Sequence, residues 1–389
     1  MTDLPKRPNL CKYLYFVPVG VDMLQVYSGS RVMLLKGKSV TDLLPLLQPY
    51  LDGTKELEEI VNSLKPRVSE RVILDCIRLL SEKGIVEDAP LPSDLEFPLP
   101  EQSFYNSQLS YFAHFHSDRF AYQRVLRDST VAIVQQQSVL ADTLVPALAL
   151  CGVGTIRGMD SSLVTEQDIG ASPFLKAEDL DKPRTEVLEA VVERTNPYVR
   201  YEGVQKAIEE PSDIESLVQG ADLVIFCGNR LTFPLLEWTN SVCLSTSRKW
   251  TSGILDLGGG TVGPSVIPFQ TPCYECYRLR SDSNDNEFVH TEAFRDFLRT
   301  SPDIQVESPF FYPQGAMVGN LLAAEAVRML TGYTFPNTLG SILRISFQDW
   351  EIRKHEILKI PWCPSCGSLS KRPTEAAFSM EESKERFEG

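Results

Sequence analysis

The chain has 389 residues, of which 43% are hydrophobic and 23% charged, as is ordinary for a folded protein of two or three domains. Its formal net charge of −14 opposes non-specific binding to nucleic acids or to anionic membranes, because both need a positive field. We expect a cytoplasmic protein, since no apolar run is long enough to cross a bilayer and the polar N-terminus has no signal-peptide core.

Residues 1–88 predict a small first domain in which three short strands precede three helices. The apolar strand segments are 12–17, 23–27 and 31–35, and the helical segments are 39–51, 54–64 and 69–83. This order is consistent with a winged helix-turn-helix. Domains of that kind often bind DNA, but twelve Asp and Glu residues match the twelve Lys and Arg residues of this segment. We therefore expect no nucleic-acid binding.

A proline-rich segment over residues 89–110 predicts a linker, because proline sustains neither a helix interior nor an inner strand. A helix over 110–127 then opens a second domain, residues 111–367, in which strands and helices alternate. Alternation of this kind predicts an α/β fold with a mainly parallel sheet. The predicted strands include 130–134, 154–159, 221–226 and 241–245. The polar, charged residues 368–389 predict a disordered tail.

Two Cys-x-x-Cys pairs, Cys273 with Cys276 and Cys363 with Cys366, lie about ninety residues apart. Each pair is flanked by proline or glycine and predicts a tight turn. Four thiolates brought together in this way match the tetrahedral ligand set of a structural zinc site, which keeps no open position for chemistry. Two unrelated surface pairs, or two disulfides, are the alternatives.

The order of elements resembles the ThiF-like, or ubiquitin-activating-enzyme-like, adenylation fold. The residues that carry this resemblance are Asp160 after a strand, Lys-Pro-Arg before a helix and Ala-Asp-Leu-Val-Ile in a later strand. Residues 262–276 resemble a narrower branch, the leader-peptide-binding subunits of azole/azoline-peptide biosynthesis, also called cyclodehydratase C or ocin-ThiF-like proteins. In that branch a winged-helix peptide-recognition element precedes a ThiF-like scaffold with zinc knuckles. The similarity extends over about residues 10–367.

The departures from this family indicate a degenerate nucleotide site. Adenylating members have a glycine-rich turn after the first strand, whereas this chain has Gln135, Gln136 and Gln137 there. The family's acidic and basic nucleotide contacts survive only as vestigial Asp160 and Arg184. Its magnesium ligand is replaced in residues 226–229. We therefore expect a structural zinc ion but no ATP.

The resemblance implies that the first domain binds an extended peptide. A peptide strand can add to the free edge of a sheet through backbone hydrogen bonds while its side chains enter a cleft against the last helix. The predicted peptide-binding residues are Arg31, Val32, Met33, Leu34, Leu35, Val72, Ile73, Cys76, Ile77 and Leu80. The alternative is that these apolar residues fill the core of the domain.

The implied function is that of a non-catalytic scaffold. It would bind the leader of a ribosomal precursor peptide and present the core of that peptide to a YcaO-type, ATP-dependent cyclodehydratase that forms azolines or azoles. A dehydrogenase is a further candidate partner, and a homodimer is expected by family analogy. Whether the chain alone is an enzyme stays open, and we favour that it is not. The alternatives are a ThiF-like enzyme that adenylates a peptide and a zinc-containing winged-helix DNA-binding regulator.

Overall fold

The structure is a computed structural model that describes residues 4–11, 14–20, 22–28, 31–89, 97–116, 118–135, 139–228, 232–300 and 311–367. These residues form two compact units, 1–124 and 125–389, each treated below by itself. The predicted tail, 368–389, lies outside the described residues. Within the described ranges no helix has the length and apolar character needed to cross a membrane.

The first unit begins with strands and continues with helices, in the predicted order. Its strands are β1 (Pro8–Leu10), β2 (Tyr15–Pro18), β3 (Met23–Ser28), β4 (Arg31–Lys36) and β5 (Val86–Asp88). Its first helices are α1 (Lys38–Leu47), α2 (Leu57–Leu64) and α3 (Glu70–Glu82). Strands β2, β3 and β4 form an antiparallel sheet in that order, and β1 pairs with β5. The core between this sheet and the helices includes Val26, Leu47, Ile60 and Ile77.

Three further helices follow, α4 (Leu99–Phe104), α5 (Asn106–Phe112) and α6 (Ala121–Asp128). Helices α4 and α5 lie largely within residues 89–110, where we predicted a linker without helix, so that prediction is wrong for this part. Pro98 and Pro100 stand at the start of α4. A helix tolerates proline there because its first N–H groups need no partner within the helix. The single helix predicted over 110–127 is also two helices.

The second unit confirms the α/β prediction, since its eight-stranded sheet has helices between the parallel strands. The strands are β6 (Thr130–Gln135), β7 (Thr155–Met159), β8 (Arg200–Val204), β9 (Leu223–Gly228), β10 (Trp250–Asp256), β11 (Gly259–Val262), β12 (Ser341–Ser346) and β13 (Ile352–Glu356). Their order is β13-β12-β11-β10-β9-β6-β7-β8. Strands β8, β7, β6, β9 and β10 are parallel, and β11 to β13 continue the sheet antiparallel.

The helices of this unit are α7 (Val139–Cys151), α8 (Glu166–Ala171), α9 (Arg184–Thr195), α10 (Pro211–Val218), α11 (Phe233–Ser245), α12 (Tyr274–Ser283), α13 (Phe288–Thr300) and α14 (Tyr312–Thr331). The strand predicted at 241–245 is wrong, because these residues end α11 and the next strand is β10. Val242, Cys243 and Leu244 are all buried. A short apolar run of this kind does not distinguish a buried helix end from a strand.

Candidate functional sites

The four predicted zinc ligands come together in one buried cluster. The Sγ atoms of Cys273, Cys276, Cys363 and Cys366 all lie within 4.8 Å of one another. Cys273 immediately precedes α12 and Cys276 lies in its first turn, while the second pair follows β13 in a turn. The interpretation as two unrelated surface pairs is therefore wrong.

The sulfur separations exclude disulfides and fit a tetrahedral metal. The Sγ atoms are 3.7 Å apart between Cys273 and Cys363, and 3.5 Å apart between Cys276 and Cys366. A disulfide needs about 2.05 Å, whereas the edge of a tetrahedron with zinc–sulfur bonds of about 2.3 Å is about 3.8 Å. A bound metal ion would hold these sulfur atoms as thiolates, because the thiolate is the form of cysteine that binds a metal. The donor set thus fits zinc.

The vestigial residues Asp160 and Arg184 belong to a second buried cluster, at the carboxyl end of β7. Arg184 is the first residue of α9 and is 1% exposed. Its Nη1 atom donates to both carboxylate oxygens of Asp142, at 2.7 and 2.9 Å. Its Nη2 atom forms an ion pair with Asp168, and its Nε atom is 3.9 Å from Oδ2 of Asp160. One guanidinium is therefore surrounded by three carboxylates.

This arrangement leaves Arg184 with little capacity to bind a phosphate. Its partner Asp142 lies in α7, is only 2% exposed and accepts both hydrogen bonds from the Nη1 atom of Arg184. Burial raises the pKa of the Asp142 carboxyl, against the lowering effect of the Arg184 charge. Three acidic side chains around the one cation disfavour a further anion by charge alone. The Nη atoms of Arg184 are therefore occupied by carboxylates, whereas its buried Nε atom has no hydrogen-bond partner among the described residues.

Sequence reasoning found Asp160 and Arg184 but missed Asp142 and Asp168. The available signal for Asp142 was a single carboxylate within the otherwise apolar segment 139–151, because a charge in a buried helix needs a partner. The predictions that rest on Gln136, Gln137 and Asn229 lie outside the described residues, and of Gln135 only the backbone is described.

The predicted peptide-binding edge is a true edge of the small sheet. Strand β4 pairs with β3, and across the part of the chain that the structure describes no strand pairs with its other side. Its backbone therefore has hydrogen-bonding groups that an added strand could satisfy. The side chains of Val32 and Leu34 are half exposed, and Met33 is partly buried at the margin of the core.

Four of the predicted peptide-binding residues, three of them on α3, lie in the core of the first unit. Ile73, Ile77 and Leu80 are buried in the core of the first unit, and so is Leu35 of β4. They repeat at helical spacing on the inner face of α3, so their apolar character serves packing. The side chain of Arg31 lies outside the described part of the structure.

Two of the predicted α3 residues remain accessible to a ligand. Val72 is 42% exposed, and Cys76, one turn further along α3, is partly buried against the core. Burial raises the pKa of the Cys76 thiol to about 11, so it is a neutral packing group at physiological pH and not a nucleophile. Cys76 and Met33 are thus the predicted residues at the margin between core and surface, and Val72 is exposed.

The α/β sheet of the second unit and its four-cysteine cluster are the features expected of the ThiF-like fold, and comparison with known families agrees with this. The model described as the ThiF family matches residues 105–365, so the chain belongs to the ThiF family. This confirms the resemblance to the ThiF-like fold found in the sequence. The Escherichia coli (strain K12) Molybdopterin-synthase adenylyltransferase is 23% identical over 245 residues, which cover 63% of this chain and 90% of that protein. The Sulfur carrier protein ThiS adenylyltransferase of the same organism is 23% identical over 254 residues, or 64% of this chain and 91% of that protein.

Solved structures resemble the fold over most of the chain. The Microcin C7 biosynthetic enzyme MccB in complex with N-formylated MccA superposes with a TM-score of 0.70 at 17% identity, covering 92% of this chain and 99% of that one. E. coli MccB with ATP has a TM-score of 0.69 at 17% identity, with the same coverage. PaaA has a TM-score of 0.64 at 21% identity and covers 77% of this chain and 96% of its own. At these identities the likeness concerns the fold.

Proposed function

We propose that this chain is a non-catalytic scaffold for the modification of a ribosomal precursor peptide. The first unit, which we interpret as a winged-helix recognition element, binds the leader of the precursor. The ThiF-family unit then presents the core peptide to a YcaO-type cyclodehydratase, which uses ATP to activate backbone amides so that Cys, Ser or Thr side chains cyclise into azolines. The complex would be cytoplasmic, and the scaffold a homodimer. Holding the substrate raises its local concentration at the partner.

The observation that carries this proposal is the edge of β4 that has no strand partner among the described residues. A peptide strand added there would satisfy the backbone groups of residues 31–36. Its inward side chains would contact Met33 and Cys76, which lie at the border of the core, and the exposed Val72. This placement replaces the predicted cleft that included Ile73, Ile77 and Leu80, because those side chains are already buried within the unit.

Two observations support a structural role for the ThiF-family unit. The Arg184 guanidinium is neutralised inside the protein by Asp142 and Asp168 and is 1% exposed. The four cysteines fit a closed zinc site. Bound zinc would hold α12 to the segment after β13 and would supply no reactive position.

The second candidate function is that of an adenylating enzyme. Adenylyltransferases are among the relatives of this chain, and E. coli MccB was solved with ATP. Against this candidate stand the self-neutralised Arg184 cluster and the glutamines that replace a glycine-rich turn. Pyrophosphate exchange with ATP, assayed with the same peptide used for binding, distinguishes the two functions.

The test of the proposal is titration of the full chain with the leader of a precursor encoded beside it, with and without ATP–Mg²⁺. We expect leader binding that does not depend on ATP. Val72→Glu should weaken it at least tenfold, because a carboxylate would be buried against the apolar margin. Lys65→Gln, which changes the charge equally at an exposed position, is the matched control. Binding that requires ATP, or no difference between the variants, would contradict the proposal.

A further inference from the structure

The small sheet of the first unit has apolar side chains on both of its faces. Phe16, Val26 and Leu35 lie on the face that packs on the core. Successive residues of a strand point to opposite faces, so the residues that alternate with these lie on the other face of the sheet. That outer face carries exposed Tyr15, Val17, Tyr27, Val32 and Leu34. An antiparallel sheet with one solvated face normally alternates apolar and polar residues, so an exposed apolar outer face needs an explanation.

The exposed side chains form two rows that run across the strands. In one row Tyr15 pairs with Tyr27 and Tyr27 with Val32. In the other, Val17 pairs with Gln25 and Gln25 with Leu34. Both rows end at β4, where Val32 is 50% and Leu34 is 54% exposed. Because directly opposed residues on neighbouring strands are in contact, each row can be extended by one side chain of an added strand.

We propose that the bound peptide is recognised on both of its faces. The outer face of the sheet contacts one face of the peptide, and Val72 and Cys76 of α3 contact the other. This rests on the proposed function, and it specifies the chemical class of the ligand. Two outward side chains of the peptide, two residues apart, contact Val32 and Leu34. The residue between them points inward to Met33 and α3. The recognised segment is therefore an extended run of at least three consecutive apolar residues, unlike a strand that alternates apolar and polar residues.

A strand is the occupant that the geometry favours. The rows end at the one side of β4 whose backbone has no strand partner among the described residues, and a strand satisfies those backbone groups while it extends both rows. Val32 and Leu34 carry no charge, and neither do Tyr27 and Gln25, which pair with them on β3. The residues of the added strand gain most from these contacts when they are apolar or aromatic. A second copy of the chain is the rival occupant.

Two variants remove the outer contacts and keep the strand. Val32→Thr keeps a β-branched residue and Leu34→Thr introduces one, so both variants have high strand propensity while they lose apolar contact area. We expect each to weaken peptide binding about three- to tenfold, and the pair more. Tyr15→Thr is the matched control, because Tyr15 is 73% exposed on the same face but two strands away from the edge. Binding by that control should stay within about twofold of the unchanged chain.

The probe is a phage-displayed library of random twelve-residue peptides, selected on the full chain. Enriched peptides are synthesised with a fluorophore, and their affinities are measured by fluorescence polarisation for the unchanged chain and for the Val32→Thr, Leu34→Thr, Val72→Glu and Tyr15→Thr variants. Each peptide position is also replaced by alanine in turn. The inference expects three consecutive apolar residues in the enriched peptides. It also expects that Val32→Thr and Leu34→Thr are each energetically coupled to one of two peptide positions that lie two residues apart, and that Val72→Glu is coupled to the position between them.

The other outcomes separate this inference from the proposed function. Peptides that depend on Val72 but bind the Val32→Thr and Leu34→Thr variants unchanged would overturn two-faced reading and leave leader capture intact. If no peptide is enriched, the proposed function fails and this inference with it. A change in sedimentation mass in Leu34→Thr with unchanged peptide affinity would overturn the inference in favour of a second copy.

Discussion

Arg184→Met should destabilise the ThiF-family unit strongly, because it removes the one cation from a cluster of three carboxylates. Asp142 is 2% exposed and could not remain ionised there without Arg184. To hold a carboxyl of ordinary pKa 3.8 protonated at pH 7 costs about 4 kcal/mol. This agrees with the roughly 3–5 kcal/mol found when one partner of a buried ion pair is removed.

The same reasoning fixes the pH dependence of the loss. In the variant, the folded state keeps a proton on Asp142 that the unfolded state releases above pH 3.8. Its stability therefore falls as the pH rises, by about 1.4 kcal/mol per unit between pH 5 and pH 7. The cost of Arg184→Met should accordingly be about 3 kcal/mol smaller at pH 5 than at pH 7.

Urea unfolding followed by tryptophan fluorescence measures this, since all four tryptophans belong to the second unit. Arg353→Met is the control, because Arg353 pairs with Glu351 at the surface and its loss should leave the urea midpoint unchanged. Asp142→Leu combined with Arg184→Met should be more stable than Arg184→Met alone. A loss below about 1 kcal/mol, or an equal loss at pH 5 and pH 7, would refute the view that Arg184 compensates a buried carboxylate.

Three further predictions concern metal, acid and nucleotide. The purified chain should contain about one zinc ion per molecule, measured by inductively coupled plasma mass spectrometry. Cys363→Ser should lose the zinc, whereas Cys227→Ser, at an equally buried position, should keep it. Retention of zinc by both variants would exclude the four-cysteine cluster as the binding site. Burial raises the pKa of Asp168, but Arg184 and hydrogen bonds from Thr165 lower it further, so that the net pKa is below 3.8. The ionised Asp168 therefore stabilises the fold above pH 3.8, and this stabilisation is lost as the pH falls through the lowered pKa. Asp168→Asn should thus be less stable at pH 7 and converge with the unchanged chain in acid, and parallel urea midpoints at every pH would contradict this. Millimolar ATP–Mg²⁺ should not raise the melting temperature, whereas a clear rise would favour the adenylating candidate.

The sequence was sufficient for features that local patterns encode. The Cys-x-x-Cys pairs have a spacing with few structural meanings, and the structure brings all four sulfur atoms together. The alternation of strands and helices likewise predicted the α/β sheet. Both inferences need only the order of residues along the chain, because each knuckle and each βα unit is a local structure.

The peptide edge shows where such reasoning is insufficient. An apolar stripe on α3 indicates which residues avoid water, but it does not say whether the unit itself or a ligand covers them. Ile73 and Ile77 are covered by the unit's own core, while Val72, next in sequence, is exposed. Arg184 presents the same difficulty at long range, since its main partner Asp142 is 42 positions away and no local pattern joins them.

Two buried clusters, the ion pairs of Arg184 and the four cysteines, hold separate segments of the ThiF-family unit together. In the Arg184 cluster, carboxylates from α7 and α8 pair with the Nη atoms, while the buried Nε atom lies 3.9 Å from Asp160 and has no hydrogen-bond partner in the described part of the chain. In the cysteine cluster, four thiols from α12 and the segment after β13 surround a space suited to one metal ion. Each cluster joins segments that are distant in the sequence, so each stabilises the fold of this unit. A stably held fold of this kind agrees with the proposed scaffold, which must keep its shape while a partner carries out the chemistry.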